Sequence, residues 1–187
     1  MQIHLRPVRR VGNKYHVFTS RITISFTTLH IEAAETNAIM DKPQPLTVRC
    51  QCGRVAFQTP TVDMISLYHC HCTECRKQSG SAFGTSAIFP ADGIFPLSSE
   101  VESKIKKYTR DTDKGDTMDC YFCTECGSRL FHRIVGRDGV PRPTVSVKGG
   151  CVEGLDWSGG KHIYVRSAVI KISDEWETYE TVPPKML

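Results

Sequence analysis

Three cysteines fall within six residues in Tyr68-His69-Cys70-His71-Cys72-Thr73-Glu74-Cys75-Arg76, and no other stretch narrows the possible folds so far. In an extended run the spacing C-x-C-x-x-C projects Cys70 and Cys72 from one face, because strand side chains alternate with a period of two. His69 and His71 then point the other way. A tight turn through Thr73 and Glu74 brings Cys75 back to the same point. Three thiolates converging on one centre suit a soft or borderline metal ion, zinc first among them. Spacing leaves two readings open. With three protein ligands, the fourth tetrahedral position is free for water or substrate, as in catalytic zinc sites; with a fourth ligand from elsewhere in the chain, the site is closed and structural.

Four more cysteines form two matching knuckles, Cys50-Gln51-Cys52-Gly53 and Cys123-Thr124-Glu125-Cys126-Gly127. Together they are expected to make one closed four-thiolate zinc site that clamps distant segments and stabilises the fold. Disulfide pairing is the alternative. Glycine after each knuckle permits positive φ, so that backbone N–H groups can turn toward the thiolate sulfur. Cys120 is either a ligand, through Cys120-x-x-Cys123, or a core thiol sharing a strand face with Met118 and Phe122. Cys151 is either a loop ligand or a small packed residue. His69, His71, His132 and His162 are candidates for a fourth ligand or a general base, and otherwise for hydrogen-bonded structural histidines. Trp157 and Trp176 are expected to pack.

With seven of nine cysteines at ligand spacing, the chain reads as a cytoplasmic metal protein and not as a secreted disulfide framework, with nucleus and mitochondrion left open. No apolar run approaches the ~20 residues of a membrane helix, and no signal-peptide pattern is visible, so no membrane partner is expected. The formal charge of +4 does not make a nucleic-acid footprint, since residues 1–45 carry six basic against three acidic groups and the remainder only 18 against 17. Ligand thiolates lower it further, to about −2 with seven deprotonated cysteines and two zinc ions.

Residues 1–45 stand apart. No acidic residue precedes Glu32, and the basic, Ser/Thr-rich start has the composition of a mitochondrial transit peptide, although Arg21 to Phe26 alternates as a strand would. A translation start at Met40 and a disordered extension are the other readings. The domain proper is expected over residues 46–173, with a tail over 174–187. Within it, Val48 to Phe57 reads as two short strands folded about Cys52-Gly53, and Met64 to Cys72 as a strand. Arg76 to Ser81 reads as one helical turn ended at Gly80, and Phe83 to Phe89 as a strand. A strand near Ile105 and Tyr108 gives way to a solvated loop over Thr109 to Asp116. Met118 to Phe131 reads as strand, knuckle, strand. Thr144 to Lys148, His162 to Val165 and Ala168 to Ile172 supply the last strands. Short strands punctuated by glycine and proline, with almost no helical period, predict a mainly β, single zinc-stabilised domain of short antiparallel strands, a sandwich or open barrel with little helix.

Three of these motifs, Cys50-Gln51-Cys52-Gly53, Cys70-His71-Cys72-Thr73-Glu74-Cys75-Arg76 with Ser79-Gly80-Ser81, and Phe122-Cys123-Thr124-Glu125-Cys126-Gly127, occur in a specific order and spacing. Through them the chain resembles the glutathione-dependent formaldehyde-activating enzyme family, which includes centromere protein V, from about Val48 to Ile172. The resemblance implies a structural zinc on Cys50, Cys52, Cys123 and Cys126, and a second, catalytic zinc on Cys70, Cys72 and Cys75. It implies carbon–sulfur lyase chemistry, the reversible joining of formaldehyde to the glutathione thiol as S-(hydroxymethyl)glutathione. Arg76 and Lys77 are candidate contacts for the glutathione carboxylates. Other readings are a non-enzymatic zinc-stabilised module that docks a protein partner, and a thiol-redox or metal-buffering role in which Cys70, Cys72 and Cys75 release zinc on oxidation. The sequence leaves the thiol, the aldehyde and the oligomeric state undecided.

Overall fold

A computed structural model describes residues 44–184; the expected N-terminal extension lies outside them, apart from Gln44 and Pro45. In chain order the elements are β1 (Thr47–Arg49), β2 (Ala56–Gln58), β3 (Ser66–Cys70), α1 (Thr73–Ser79), β4 (Gly84–Pro90), α2 (Ser99–Glu102) and β5 (Ile105–Asp111). They continue with β6 (Thr117–Cys123), β7 (Arg129–Val135), β8 (Thr144–Lys148), β9 (Lys161–Ile163) and β10 (Thr178–Tyr179). Strands β1 and β2 pair as a hairpin, and the other eight form one sheet in the order β10-β9-β3-β4-β8-β7-β6-β5. The mainly β expectation holds, and the sheet stays open at β10 and β5. Its pairs are antiparallel as expected, except that β9 runs parallel to both β3 and β10.

Alternation along the strands explains the core. Leu67, Ala87, Val147 and Phe131 are register partners across β3, β4, β8 and β7, so one row of apolar side chains crosses the sheet. All four are buried. The β1–β2 hairpin lays Val48, Val55 and Phe57 against this face, with the Phe57 and Phe131 rings edge to face at 5.6 Å. The opposite face carries Tyr68, Cys70, Gly84, Ser86 and Lys148 in matching register. The sheet also curls. Arg166, just after β9, pairs with Asp113 in the β5–β6 loop at 3.1 Å, although β9 and β5 lie near opposite ends of the strand order.

Four local expectations change. The strand expected to run to Cys72 ends at Cys70, and the helix begins at Thr73, because Cys72 caps it by accepting the Cys75 N–H at 3.4 Å. Gly80 ends that helix in the left-handed conformation, as expected. The loop expected over Thr109 to Asp116 is shorter, since cross-strand pairing with β6 carries β5 to Asp111. No strand forms over Ala168 to Ile172. Tyr164 adopts φ 57° and starts a 3-10 turn at Val165–Ser167, which breaks the extended run and leaves Val169 and Ile170 on the surface. Finally, β10 falls after Ser173, in the segment expected as a tail. Among the described residues no helix is long and apolar enough to cross a membrane.

Candidate metal centres

The two knuckles meet. Cys50, Cys52, Cys123 and Cys126 bring their four Sγ atoms within 4.8 Å of one another, with Cys50–Cys52 at 3.5 Å and Cys52–Cys123 at 3.8 Å. Each knuckle is held by its own backbone. Gly53 N–H donates to Cys50 O at 3.0 Å and Gly127 N–H to Cys123 O at 3.0 Å. The two glycines have φ 77° and 71°, which a side chain would resist. This turn points the Val55 N–H at Cys50 Sγ, 3.2 Å away. Ser128, through its hydroxyl and then its backbone N–H, pulls the Cys126 thiol down to about 5. Donors aimed at sulfur favour the thiolate, the form that binds metal. All nine cysteines are free thiols, so the disulfide alternative is not what the structure holds.

Cys70, Cys72 and Cys75 form the second group, again with all Sγ atoms within 4.8 Å of one another. Cys70 comes from the end of β3, Cys72 from the helix cap and Cys75 from the first turn of α1. Cys70 and Cys75 are buried, at 8% and 9% exposure, while Cys72 is partly open to solvent. Hydrogen bonds from Cys70 and Cys75, joined by the backbone N–H groups of Cys75 and Glu74, hold Cys72 far below the usual thiol range. The neighbouring Cys72 and Cys75 thiols, with burial, push Cys70 up. Among the described residues no fourth ligand atom joins this group.

Neither Cys120 nor Cys151 enters a metal group. Cys120 is 1% exposed on β6, and Cys151 packs at the edge of the core with Sγ 3.4 Å from Arg129 O. The histidines gather elsewhere. His71 Nε2 and His162 Nδ1 lie 2.9 Å apart, and His69 sits against His162 with ring centroids at 4.8 Å. Trp176 stacks on His162 at 4.3 Å and 10°, so one face of its ring packs, and both Trp176 and Trp157 are about half-exposed. His132 is buried on β7. None of the four reaches the three thiols as a ligand. Arg76 and Lys77 lie on α1 beside the cluster; Lys77 Nζ pairs with Glu74 at 2.9 Å, whereas the Arg76 Nε is buried and unpartnered among the described residues.

Two residues that spacing did not single out stand at the thiols. Tyr164 packs against the cluster formed by Tyr68, Cys70, Cys75, Ile88 and Ile163. Burial, with Asp113, Cys70 and Cys72 nearby, pushes its hydroxyl up. Lys148 is 8% exposed, and its Nζ donates to Ser86 Oγ at 2.9 Å on the Cys70 face of the sheet.

The family model of the glutathione-dependent formaldehyde-activating enzymes matches residues 45–167, about two-thirds of the sequence. The chain belongs to that family. All seven clustered cysteines lie inside the matched stretch. A Penicillium rubens protein bearing the family's name is 28% identical over 88 residues, which are 46% of this chain and 43% of the relative. One from Sordaria macrospora is 24% identical over 111 residues, 54% of this chain and 44% of the relative. The chain therefore spans less than half the length of the curated relatives it matches.

Proposed function

We propose that the protein is a zinc-dependent carbon–sulfur lyase that joins formaldehyde to a thiol such as glutathione, and reverses that union, beside Cys70, Cys72 and Cys75. The observation that carries this reading is the convergence of three thiols from β3 and α1 with no fourth ligand atom among the described residues. Family membership supports it. The donor set fits zinc, since thiolates are the soft ligands that zinc sites use. When bound, a zinc ion held by three thiolates offers one place to a further soft ligand and is a weak Lewis acid, better suited to a thiolate than to polarising an aldehyde.

The chain's own residues do the rest. Cys70, Cys72 and Cys75 hold the site at the junction of β3 and α1, and Tyr164 walls one side of it. Arg76, whose Nη2 donates to Thr73 Oγ1 at 3.5 Å, and Lys77, paired with Glu74 at 2.9 Å, are the candidate carboxylate contacts on α1. Adduct formation makes one sulfur–carbon bond, opens the carbonyl π bond and moves the thiol proton to the carbonyl oxygen, with no oxidant or reductant. Cys50, Cys52, Cys123 and Cys126 hold a second, structural zinc. Seven cysteines kept as thiols suit the reducing cytoplasm.

Native mass spectrometry of the full chain, with and without reduced glutathione, tests the proposal. Two zinc ions plus one glutathione are expected, with the glutathione and one zinc lost in Cys72→Ser, and formaldehyde consumption falling in step. Two zinc ions that ignore glutathione would move the reading to another thiol or to a docking module. Full turnover by Cys72→Ser would end it.

A further inference from the structure

Lys148 closes β8, whose alternate residues Val145 and Val147 face the core. Its side chain therefore lies on the other face, cross-strand from Ser86 and in line with Tyr68. Two residues before Ser86, Gly84 pairs with Cys70, and a Cβ on Gly84 would sit 3.3 Å from the Cys75 Cβ. The ammonium thus lies on the sheet face that carries Cys70, held by the Ser86 hydroxyl at 2.9 Å and almost fully buried.

A buried ammonium needs an anion. Among the described residues no carboxylate forms an ion pair with Lys148, and its one hydrogen bond runs to a neutral hydroxyl. Burial pushes the Lys148 pKa down and Arg129 adds to that, while negative charge on Cys75, Cys70 and Cys120 opposes it, so the ammonium form depends on those sulfurs carrying charge. An uncompensated charge in such a place is costly, and evolution of a stable fold removes it unless a partner is present. The partner available is the thiolate cluster. Three thiolates on a divalent cation carry a net charge of −1, and an external thiolate makes it −2.

We propose that Lys148 is the built-in counter-charge of the Cys70, Cys72 and Cys75 site, setting how tightly that site holds a divalent metal ion and an incoming thiolate. This rests on the reading of the cluster as a metal site. Lys148 is a positioning residue, since it acts through the charge of the ligand sulfurs and the metal ion they hold, and touches no reacting atom.

The test uses the zinc-loaded full chain of wild type, Lys148→Met, Lys148→Gln and Cys72→Ser, titrated with a chelator, with melting temperatures of the metal-free proteins alongside. Wild type is expected to release two zinc ions in separable steps, the step missing from Cys72→Ser being the second site. In Lys148→Met that step alone weakens by about ten- to a hundredfold, the range typical of partners that support metal ligands. The other step is unchanged. Metal-free Lys148→Met melts no lower than wild type, because an apolar group replaces a buried charge. Lys148→Gln keeps a donor for Ser86 Oγ but no charge; the same loss is expected, and it carries the test if the methionine variant does not fold. Two zinc ions in wild type with both steps unmoved in the Lys148 variants would overturn the inference and leave the metal site standing. Equal weakening of both steps with a lower metal-free melting temperature would overturn it in favour of a packing role. A single zinc in wild type, matched by Cys72→Ser, would remove the metal reading and the inference with it.

Discussion

Cys72 combines two roles at one position: it caps α1 through the Cys75 N–H and supplies the most accessible thiol of the second metal group. Serine is itself a good helix cap but a poor soft-metal ligand. Cys72→Ser should therefore remove the second zinc while changing the stability of the metal-free protein by less than about 1 kcal/mol; denaturation monitored beside metal content checks both halves. His132 makes a pH prediction. Burial, followed by the positive charges of Lys148, Arg129 and Arg110, holds its pKa well below the ordinary value of 6.5. The folded chain then refuses a proton that the unfolded chain accepts, so this group costs nothing above about pH 6.5 and removes stability as pH falls below it. Melting curves from pH 7 to 5 should be flatter for His132→Phe than for wild type at equal zinc content, and coincident slopes would show the assignment wrong. At this scale the cysteines were legible because ligand spacing is local and rare. Lys148 was not. Its sequence setting is that of an exposed residue at a strand end, and only the tertiary packing of its sheet face buries it.

At the scale of elements, the second centre depends on how α1 sits on β4. Gly84 permits the approach, since a Cβ there would lie 3.2 Å from Cys75 O, 3.3 Å from Cys75 Cβ and 3.4 Å from Gln78 Nε2. Gly84→Ala should push α1 outward, cost about 1–3 kcal/mol as overpacking does, and loosen the second zinc while sparing the first; chelator titration with a thermal melt reads both. The β1–β2 hairpin, the strand–knuckle–strand of β6 and β7, and β8 all followed from alternation and glycine placement. The misread stretches share one cause. Whether an apolar run continues as a strand depends on a neighbour, and Ala168 to Ile172 has none because Tyr164 turns the chain first, while β5 extends because β6 is there to pair with it. A cap contributed by cysteine also hid the start of α1, since residues such as serine and aspartate are the usual signal.

For the molecule as a whole, the first cysteine cluster brings the β1–β2 hairpin to the β6–β7 turn, with Cys52 and Cys123 separated by 71 positions, and a metal ion held there would tie them together. Treated as a cross-link, closing such a loop is worth about 4 kcal/mol of lost freedom in the unfolded chain. Cys126→Ser should therefore lower the melting temperature sharply or leave the chain unfolded, whereas Cys72→Ser leaves it folded; circular dichroism of both variants after purification separates them. The mainly β class was readable from the sequence, but the strand order was not, because parallel addition of β9 and β10 beside β3 is a long-range choice that short apolar runs do not encode. The same separation has a temporal consequence. Cys70, Cys72 and Cys75 emerge from the ribosome within six residues of one another, whereas the other site lacks half its thiols until Cys126 has been synthesised. On the proposed reading, a nascent chain completes the ligand set of its reactive centre before that of its structural one.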